Sequence, residues 1–392
     1  MSIVPAASSS PIIVPTDSED VETQDFMVCF VNGKKYTLHA KDIQPESTLL
    51  HFLRQTCGLS GTKLVCGEGG CGACTVLVSK LNHATGRVAH HSVNACLYPL
   101  GAIDGAHVIT VEGIGNPKIG LHPIQTRLAE LNGSQCGFCT PGIVMAFYAL
   151  VRNNPSPTQK EIEHVMDGNL CRCTGYRPIL DATKSFAVDR SSACGMGENC
   201  CRNKKPSKPI ADDCAPSTPH CDGMKLTQTC TCSKIDELNS KTPTAPLPQA
   251  FREDSALIFP PFLMKYQPKR IVLTTDHTTW TKPSNLPELL RMKAEYPDAK
   301  LVCGNSEAGI DMKFRFDSRP WKQMVYCSDI RELVHLTESD VGLTVGASVT
   351  IGGLQSHIQT NLAKYDVASQ SLAHAILTQI HWFAGTQIRN VA

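Results

Sequence analysis

The 392-residue sequence lacks both a block of basic residues and a long apolar run. It contains 37 Lys and Arg residues against 36 Asp and Glu residues, which gives a formal net charge of +1. A chain without excess positive charge is not expected to take nucleic acid or an anionic membrane as its main partner. No apolar run reaches the roughly 18–20 residues that a membrane-spanning helix needs. The sequence therefore predicts no nucleic acid and no membrane among the partners.

The N-terminal segment lacks the features of a targeting sequence. Residues 1–24 are rich in Ser, Pro and acidic residues, contain no arginine, and show no charged stretch followed by an apolar one. These absences argue against a secretory signal and against a mitochondrial presequence. We therefore predict a disordered tail over residues 1–24 and a cytoplasmic protein, with the peroxisome as the alternative compartment.

Cysteine, in contrast, is abundant, with 19 residues in the chain. In the reducing cytosol, clustered cysteines indicate metal ligands rather than disulfides. Two groups of four cysteines are predicted to bind metal. The first group is Cys66, Cys71, Cys74 and Cys96, and the second is Cys136, Cys139, Cys171 and Cys173.

The first group has the C-x4-C-x2-C…C spacing of plant-type ferredoxins, in which four thiolates hold a [2Fe–2S] cluster. Four glycines lie between Cys66 and Cys74. Glycine permits the positive φ that a loop around a cluster needs, and it lets backbone N–H groups point at the sulfurs. A phosphate-binding loop would end in Gly-Lys-Ser or Gly-Lys-Thr, which this loop lacks. Zinc is the other alternative, although such glycine-rich spacing is unusual for zinc.

The second group consists of a C-x2-C pair and, 31 residues later, a C-x-C pair. Spacing alone leaves two interpretations open, because C-x2-C suits zinc whereas C-x-C is tight for one tetrahedral ion. The position of the group, directly after a ferredoxin-like segment, favours a second [2Fe–2S] cluster. Two adjacent clusters would form a path for electrons.

The elements around these cysteines divide the chain into domains. Residues 25–115 predict a small α+β sheet domain that opens with a hairpin, because Asn32-Gly33 suits a type I′ turn. Residues 116–190 predict a helical domain. Residues 255–392 predict an α/β domain. The helical domain is expected to contain helices at 122–132, 141–153, 158–168 and 176–188.

A linker is predicted over residues 191–254, which are rich in Pro, Ser, Thr and Lys and show little periodicity. The linker contains seven further cysteines whose spacing matches no metal site. Surface thiols are favoured over a zinc site for them. They are Cys194, Cys200, Cys201, Cys214, Cys221, Cys230 and Cys232.

Three stretches resemble the paired iron–sulfur domains of the molybdenum hydroxylases, the family of xanthine dehydrogenase, aldehyde oxidase and carbon monoxide dehydrogenase. They are Cys66-Gly-Glu-Gly-Gly-Cys-Gly-Ala-Cys74, Gln135-Cys-Gly-Phe-Cys-Thr-Pro-Gly142 and Asn169-Leu-Cys-Arg-Cys-Thr-Gly-Tyr-Arg-Pro178. A fourth stretch, Leu301–Ala308, is similar to the flavin-binding segment of that family's FAD domain, and Phe383 matches another flavin contact. The FAD contacts that the resemblance implies are Leu301, Val302, Cys303, Gly304, Asn305, Ser306, Glu307, Ala308 and Phe383.

The flavin stretch also has a local physical rationale. A strand that ends at Gly304-Asn305-Ser306 lets backbone N–H groups approach a pyrophosphate. On these residues alone, an ordinary strand and turn remains an equal alternative.

The resemblance implies an α+β multidomain fold. Its parts are a plant-type ferredoxin-like β-grasp domain, a small four-helix [2Fe–2S] domain and an incomplete α/β FAD-binding domain of the PCMH type. The family's next flavin motif, a Gly-Gly-Asn loop, would begin just beyond Ala392. We therefore expect the FAD-binding domain to be cut short at its C-terminus.

The same resemblance implies an oxidoreductase with two [2Fe–2S] clusters and FAD. A molybdopterin centre, in cis or on a separate subunit, would oxidise a purine, and electrons would pass through both clusters to FAD and then to NAD⁺ or O₂. The second cysteine group would lie nearer molybdenum and the first nearer FAD. This chain alone is expected to contain no catalytic residue for hydroxylation, and the full-length protein is expected to be a homodimer. The alternatives are an aldehyde oxidase and a stand-alone electron-transfer protein or small subunit, and the xanthine dehydrogenase type is preferred.

Overall fold

The computed structural model describes residues 22–83, 85–118, 120–189, 258–314, 321–339 and 342–392. The seven linker cysteines and residues 1–21 of the predicted tail lie outside these ranges. Strands and helices are labelled below in chain order within the described residues. The description contains two five-stranded sheets, a two-stranded hairpin and twelve α-helical segments.

The first sheet forms the predicted α+β domain. Its strands are β2 Phe26–Val31, β3 Lys34–His39, β4 Thr75–Asn82, β5 Arg87–Asn94 and β6 Ala106–Ile109. Their spatial order is β3-β2-β6-β4-β5, with β6 parallel to β2 and all other neighbours antiparallel. The turn between β2 and β3 has φ values of 49° at Asn32 and 81° at Gly33. These positive angles confirm the hairpin that the Asn-Gly pair predicts.

One helical segment packs on this sheet. Helix α1, Leu49–His51, continues as a π-helical turn over Phe52–Thr56. Its apolar side chains are buried, with Leu49 and Leu53 fully enclosed. Short segments complete the domain: the 3₁₀ turns Ala40–Asp42 and Leu100–Ile103, and helix α2, Val111–Ile114.

Four helices follow where the sequence predicts them. They are α3 Pro123–Glu130, α4 Thr140–Asn153, α5 Gln159–Met166 and α6 Arg177–Lys184. Helix α5 begins with a capping box, in which Thr158 accepts from the backbone of Glu161 and the Glu161 side chain accepts from the backbone of Thr158. Helix α4 begins immediately after Cys139, so the helix start fixes the position of one predicted ligand.

The second sheet belongs to the C-terminal part. Its strands are β7 Arg270–Thr274, β8 Thr279–Lys282, β9 Lys300–Val302 and β10 Gln323–Tyr326, together with β1 Thr23–Gln24. The order is β1-β7-β8-β10-β9. Strand β1 pairs in parallel with β7, so the last two residues of the predicted disordered tail are ordered. The sheet edge at β7 offers unpaired backbone groups to β1, and two residues are too few to show a strand pattern.

The remaining elements surround this second sheet. The helices are α7 Pro261–Lys265, α8 Leu286–Glu295, α9 Ala308–Phe314, α10 Ile351–Asn361, α11 Val367–Trp382 and α12 Thr386–Arg389. Strands β11 Leu336–Ser339 and β12 Gly342–Val345 form a separate hairpin, and 3₁₀ turns cover Arg331–Leu333 and Leu362–Lys364. Helix α9 begins directly after Glu307 of the flavin stretch. The α+β, multidomain fold class is thereby confirmed.

The first and third parts share one apolar core. Buried Leu53 and Val76 of the first sheet domain belong to the same cluster as Trp280 and Val302 of the second sheet. A Cβ atom on Gly101 would lie 2.6 Å from the Trp280 ring, so only glycine fits at this junction. The helical domain packs around a second core, centred on α4, to which Leu77 and Ile109 of the first sheet also contribute. Within the described ranges, no helix is both long and apolar enough to cross a membrane.

Candidate functional site: two cysteine sites and an adjoining cavity

The first predicted group of cysteines comes together as two pairs. Cys66 Sγ lies 3.3 Å from Cys71 Sγ. Cys74 and Cys96 form the other pair, joined by a hydrogen bond between their thiols. Cys74 and Cys96 are buried, whereas Cys66 and Cys71 are half-buried. The structure therefore brings all four predicted residues to one end of the first sheet.

The glycines of this loop adopt the conformation that the sequence predicts. The φ values are 73° at Gly67, 83° at Gly69 and 68° at Gly72. The Glu68 backbone N–H donates to Cys66 Sγ at 3.5 Å. Burial raises the pKa of Cys66. The hydrogen bonds from the Glu68 N–H, from other backbone N–H groups and from the Cys71 thiol outweigh burial, so the pKa lies below its ordinary value. The loop thus provides a polar environment that stabilises a thiolate.

The second group also forms two pairs. Cys136 is hydrogen-bonded to Cys173, and Cys139 to Cys171. Cys171 is buried, and its Sγ lies 3.2 Å from Thr174 Oγ1. Cys136 and Cys173 are exposed. The second site therefore lies at the surface of the helical domain, with one pair facing outward.

The pairwise arrangement fits a two-iron cluster. A [2Fe–2S] cluster takes four cysteine thiolates over two irons, which is two thiolates for each iron. The twelve described cysteines are all free of disulfides, so these eight thiols are available as ligands.

The two cysteine sites touch each other. The Leu170 backbone N–H, one residue before Cys171, donates to the Cys71 carbonyl at 3.0 Å. Asn169 Nδ2 donates to the Gly72 carbonyl, also at 3.0 Å. A Cβ atom on Gly142, at the start of α4, would lie 2.3 Å from that same carbonyl. A single backbone hydrogen bond therefore connects a ligand of the first site to the segment that carries the second.

A cavity of about 420 Å³ adjoins the first cysteine loop. The loop contributes residues 68–70 to the cavity wall, and the predicted flavin stretch contributes Ser306 and Glu307. Phe383, the other predicted flavin contact, lines the same cavity. We call this space the loop cavity. The structure thus joins two separate sequence predictions, the cluster loop and the flavin stretch, in one place.

The rest of the predicted flavin stretch is distributed differently. Val302 and Ala308 are buried in the shared core, and Leu301 is 44% exposed. Cys303 and Gly304 line a second cavity of about 590 Å³. Leu301 and Val302 lie in strand β9, whose side chains alternate between faces, and Ala308 begins helix α9, so the residues of the stretch cannot all reach one cavity.

Two side chains hold the flavin stretch and the first loop together: Asn305, which belongs to the predicted flavin stretch, and Lys313, which the sequence did not single out. Asn305 has a φ of 66°, and its Nδ2 donates to the Leu97 carbonyl at 2.8 Å. Lys313 on α9 donates to the Gly67 carbonyl at 2.7 Å and also to the Cys96 carbonyl. Lys313 lies 246 residues from Gly67 in the chain, so no local spacing marks it.

A buried ion-pair network joins the two sheets beside the second cavity. Lys282 Nζ lies 3.1 Å from Asp104 Oδ2 and 3.0 Å from Asp329 Oδ2. Lys80 Nζ of the first sheet lies 2.8 Å from Asp329 Oδ1. Burial opposes the charge of Lys282, but the two carboxylates raise its pKa above the ordinary value. These contacts fix the second sheet, and hence the flavin stretch, against the ferredoxin-like sheet.

Three known families match successive parts of the chain. Residues 29–100 match the family described as "2Fe-2S iron-sulfur cluster binding domain", and residues 110–184 match "[2Fe-2S] binding domain". Residues 275–392 match "FAD binding domain in molybdopterin dehydrogenase". These matches confirm the predicted cofactors, two [2Fe–2S] clusters followed by FAD.

Similar proteins extend over almost the whole chain. The chain is 42% identical over 380 residues to xanthine dehydrogenase/oxidase of Gallus gallus, which covers 95% of this chain and 27% of that protein. It is 41% identical over 370 residues to xanthine dehydrogenase of Drosophila pseudoobscura pseudoobscura, a match that covers 93% of this chain and 26% of that protein. It is 42% identical over 376 residues to xanthine dehydrogenase of Emericella nidulans, covering 95% and 26%. The chain spans about a quarter of the length of these curated relatives.

Two paired-thiol sites beside an FAD-binding domain of the molybdopterin dehydrogenase type define the class. The chain belongs to the molybdenum hydroxylases, as the iron–sulfur and flavin part of such an oxidoreductase. Within that family it is similar to the N-terminal region of the xanthine dehydrogenases. The family's molybdenum domain is not contained in this chain.

Proposed function

We propose that this chain is the electron-transfer part of a xanthine dehydrogenase-type enzyme. The enzyme would oxidise a purine at a molybdopterin centre held in cis or on a separate subunit. The final acceptor would be NAD⁺ or O₂, and the full-length protein would be a homodimer in the cytosol or the peroxisome. The names of the similar proteins favour a purine over an aldehyde as the substrate.

Each pair of thiols is proposed to hold one iron. In the first site the pairs are Cys66 with Cys71 and Cys74 with Cys96, and in the second site Cys136 with Cys173 and Cys139 with Cys171. When bound, [2Fe–2S] clusters and FAD act as electron carriers. The protein's own contribution is to hold the ligands in contact and to shield the inner pair from water.

The loop cavity is the observation that carries this proposal. Its wall combines the backbone of the first cysteine loop with Ser306, Glu307 and Phe383, so a flavin there would lie directly against that loop. Lys313 keeps the two walls together through carbonyls next to the ligands. The bond from Leu170 to Cys71 connects the same loop to the second site. The proposed order is therefore second site, first site, flavin.

Two adjacent aromatic residues provide a matched test of FAD binding. Phe383 lines the loop cavity, whereas Trp382 is 79% exposed and does not. In a titration of the purified chain with FAD, followed by flavin fluorescence, Phe383→Ala should weaken binding roughly fivefold, because an aromatic contact contributes about 1 kcal/mol. Trp382→Ala should bind FAD as the unmodified chain does.

Equal effects of the two substitutions would place the flavin elsewhere. Retention of full FAD affinity in Phe383→Ala would contradict the role of the loop cavity. Retained absorbance of the iron–sulfur clusters in both variants serves as the control for correct folding.

A further inference from the structure

A third pair of cysteines lies outside both proposed cluster sites. Cys303 Sγ and Cys327 Sγ are 3.3 Å apart. Strands β9 and β10 are parallel, with Val302 opposite Tyr326, so the next residue on each strand stands beside the other. The Cys327 N–H donates to the Val302 carbonyl at 2.9 Å, which extends the ladder to this position. Residues opposed on adjacent strands have the close backbone spacing that a disulfide requires.

The two thiols differ in their access to solvent. Cys303 is half-buried and lines the second cavity, together with residues of both sheets. Cys327 is only 3% exposed. A small reagent entering the cavity of about 590 Å³ would therefore reach Cys303 first, and Cys327 would react only through Cys303.

The surroundings make Cys303 the more nucleophilic thiol. Ser348 Oγ lies 3.5 Å from Cys303 Sγ and also donates to the Cys327 carbonyl at 3.2 Å. The hydrogen bond from the Cys327 thiol lowers the pKa of Cys303, burial opposes it, and the hydroxyls of Ser348 and Ser328 lower it further. The thiolate is the reactive form of cysteine, so Cys303 is suited to attack and Cys327 to resolve.

We propose that Cys303 and Cys327 form an oxidisable dithiol, which closes into a disulfide when a small disulfide such as oxidised glutathione enters the second cavity. The Cys303 thiolate attacks one glutathione sulfur, forms a mixed disulfide and releases one glutathione thiolate. Cys327 then attacks Cys303 Sγ, loses its proton and releases the second glutathione. The protein gives up two electrons and two protons, and the glutathione disulfide takes them up as two thiols.

The position of this pair gives the reaction a local consequence. The disulfide would join the ends of β9 and β10 directly before Gly304-Asn305, where the flavin stretch turns towards the first cysteine loop. Oxidised glutathione would thus create a covalent link between β9 and β10 beside that turn, and reduced glutathione would remove it. Formation of the bond does not depend on FAD, so it is measurable whether or not the proposed function holds.

The test uses the cluster-loaded chain in buffers of reduced and oxidised glutathione. After acid quenching, free thiols are alkylated with one reagent and reduced disulfides with a second, and each cysteine is assigned by peptide mass. We expect Cys303 and Cys327 to lose alkylation by the first reagent together and to yield one cross-linked peptide pair. Cys57 is an internal control, because it is half-buried and burial raises its pKa, so its alkylation should persist.

Two single variants separate the steps. Cys327→Ser should stop at a glutathione mixed disulfide on Cys303, whereas Cys303→Ser should leave Cys327 as an unmodified thiol. Persistent alkylation of both residues, a stable mixed disulfide in the unmodified chain, or cross-linking of Cys303 to any other cysteine would each overturn the proposal. Should a variant lose its clusters, the cross-link in the unmodified chain still decides the question.

Discussion

At the residue scale, Gly72 decides whether the two cysteine sites can touch. Its φ is 68°, and a Cβ atom there would lie 2.2 Å from the Gly168 carbonyl and 2.6 Å from Asn169 Nδ2. Gly86 has the same φ of 68° but has nothing within 4 Å of the equivalent position. The two glycines therefore share the conformational requirement and differ only in the close approach of a neighbour.

This difference leads to a prediction about Gly72→Ala and Gly86→Ala. Each should lose about 1 kcal/mol of unfolding free energy, because an L-residue is strained at positive φ, and Gly72→Ala should lose more, because its methyl group also overlaps the Gly168 carbonyl. Only Gly72→Ala should also lose iron, since its methyl group forces the first loop away from the second site. Iron content per chain and urea unfolding of both variants provide the measurement. Equal iron content in the two variants would contradict the close packing of the sites.

At the scale of elements, strand β6 contains a buried titratable group. His107 is 1% exposed, and the Gly33 N–H donates to its Nε2 at 3.2 Å. Burial, helped by the charges of Arg152 and His90, lowers the pKa of His107 from 6.5 to about 4. In the folded strand, His107 therefore stays neutral down to about pH 4, whereas in the unfolded chain the same side chain takes up a proton near pH 6.5.

The sign of the pH effect follows from this shift. Above pH 6.5 His107 is neutral in the folded and in the unfolded state, so it does not change the stability. As the pH falls from 6.5 towards 4, His107 gains a proton only in the unfolded state, and the free energy of unfolding falls. The loss for this residue is at most roughly 3 kcal/mol. His107→Gln keeps an acceptor for Gly33 but cannot titrate, so its unfolding free energy should decline less over the same range. Identical pH profiles for the two proteins would contradict the assignment.

Much of the element pattern is legible in the sequence. The Asn32-Gly33 hairpin and the four helices of the second domain follow from turn chemistry, caps and apolar periodicity, and the structure confirms them. Strand β1 was assigned to the tail, and β8 was not identified. Strand β8 is four residues long and ends in Lys282. Lysine normally indicates a solvent-exposed position, but Lys282 is buried and pairs with the carboxylates of Asp104 and Asp329. The residues that balance the charge of Lys282 are distant in the chain, so no local sequence pattern predicts a buried lysine there.

The candidate site divides in the same way. The grouping of the cysteines could be predicted from the spacing that cluster ligands need, and Phe383 was proposed as a flavin contact from its family motif. Lys313 could not be identified, because its partners are backbone carbonyls more than 200 residues away in the chain. Asn305 is a predicted flavin contact, but its hydrogen bond to the Leu97 carbonyl could not be foreseen for the same reason. Every residue has a backbone carbonyl, so the sequence does not show which carbonyl accepts a hydrogen bond from a distant side chain.

At the scale of the whole molecule, the three parts are arranged as the proposed electron path requires. The first and third parts share an apolar core and a buried ion-pair network. The helical part contacts the first through the segment that carries its own ligands and through a second core that includes Leu77 and Ile109 of the first sheet. Because the two cysteine sites belong to different cores, each is expected to keep its cluster when the other is removed. This independence distinguishes two adjacent sites from one composite site.

Electron paramagnetic resonance of the reduced chain tests this central claim most directly. The unmodified protein should contain four iron atoms and four acid-labile sulfides, two of each per [2Fe–2S] cluster, and show two distinct signals. Cys71→Ser should abolish one signal and Cys136→Ser the other, each leaving about half of the iron. A single signal in the unmodified chain, loss of both signals in either variant, or loss of neither in Cys71→Ser would contradict the account.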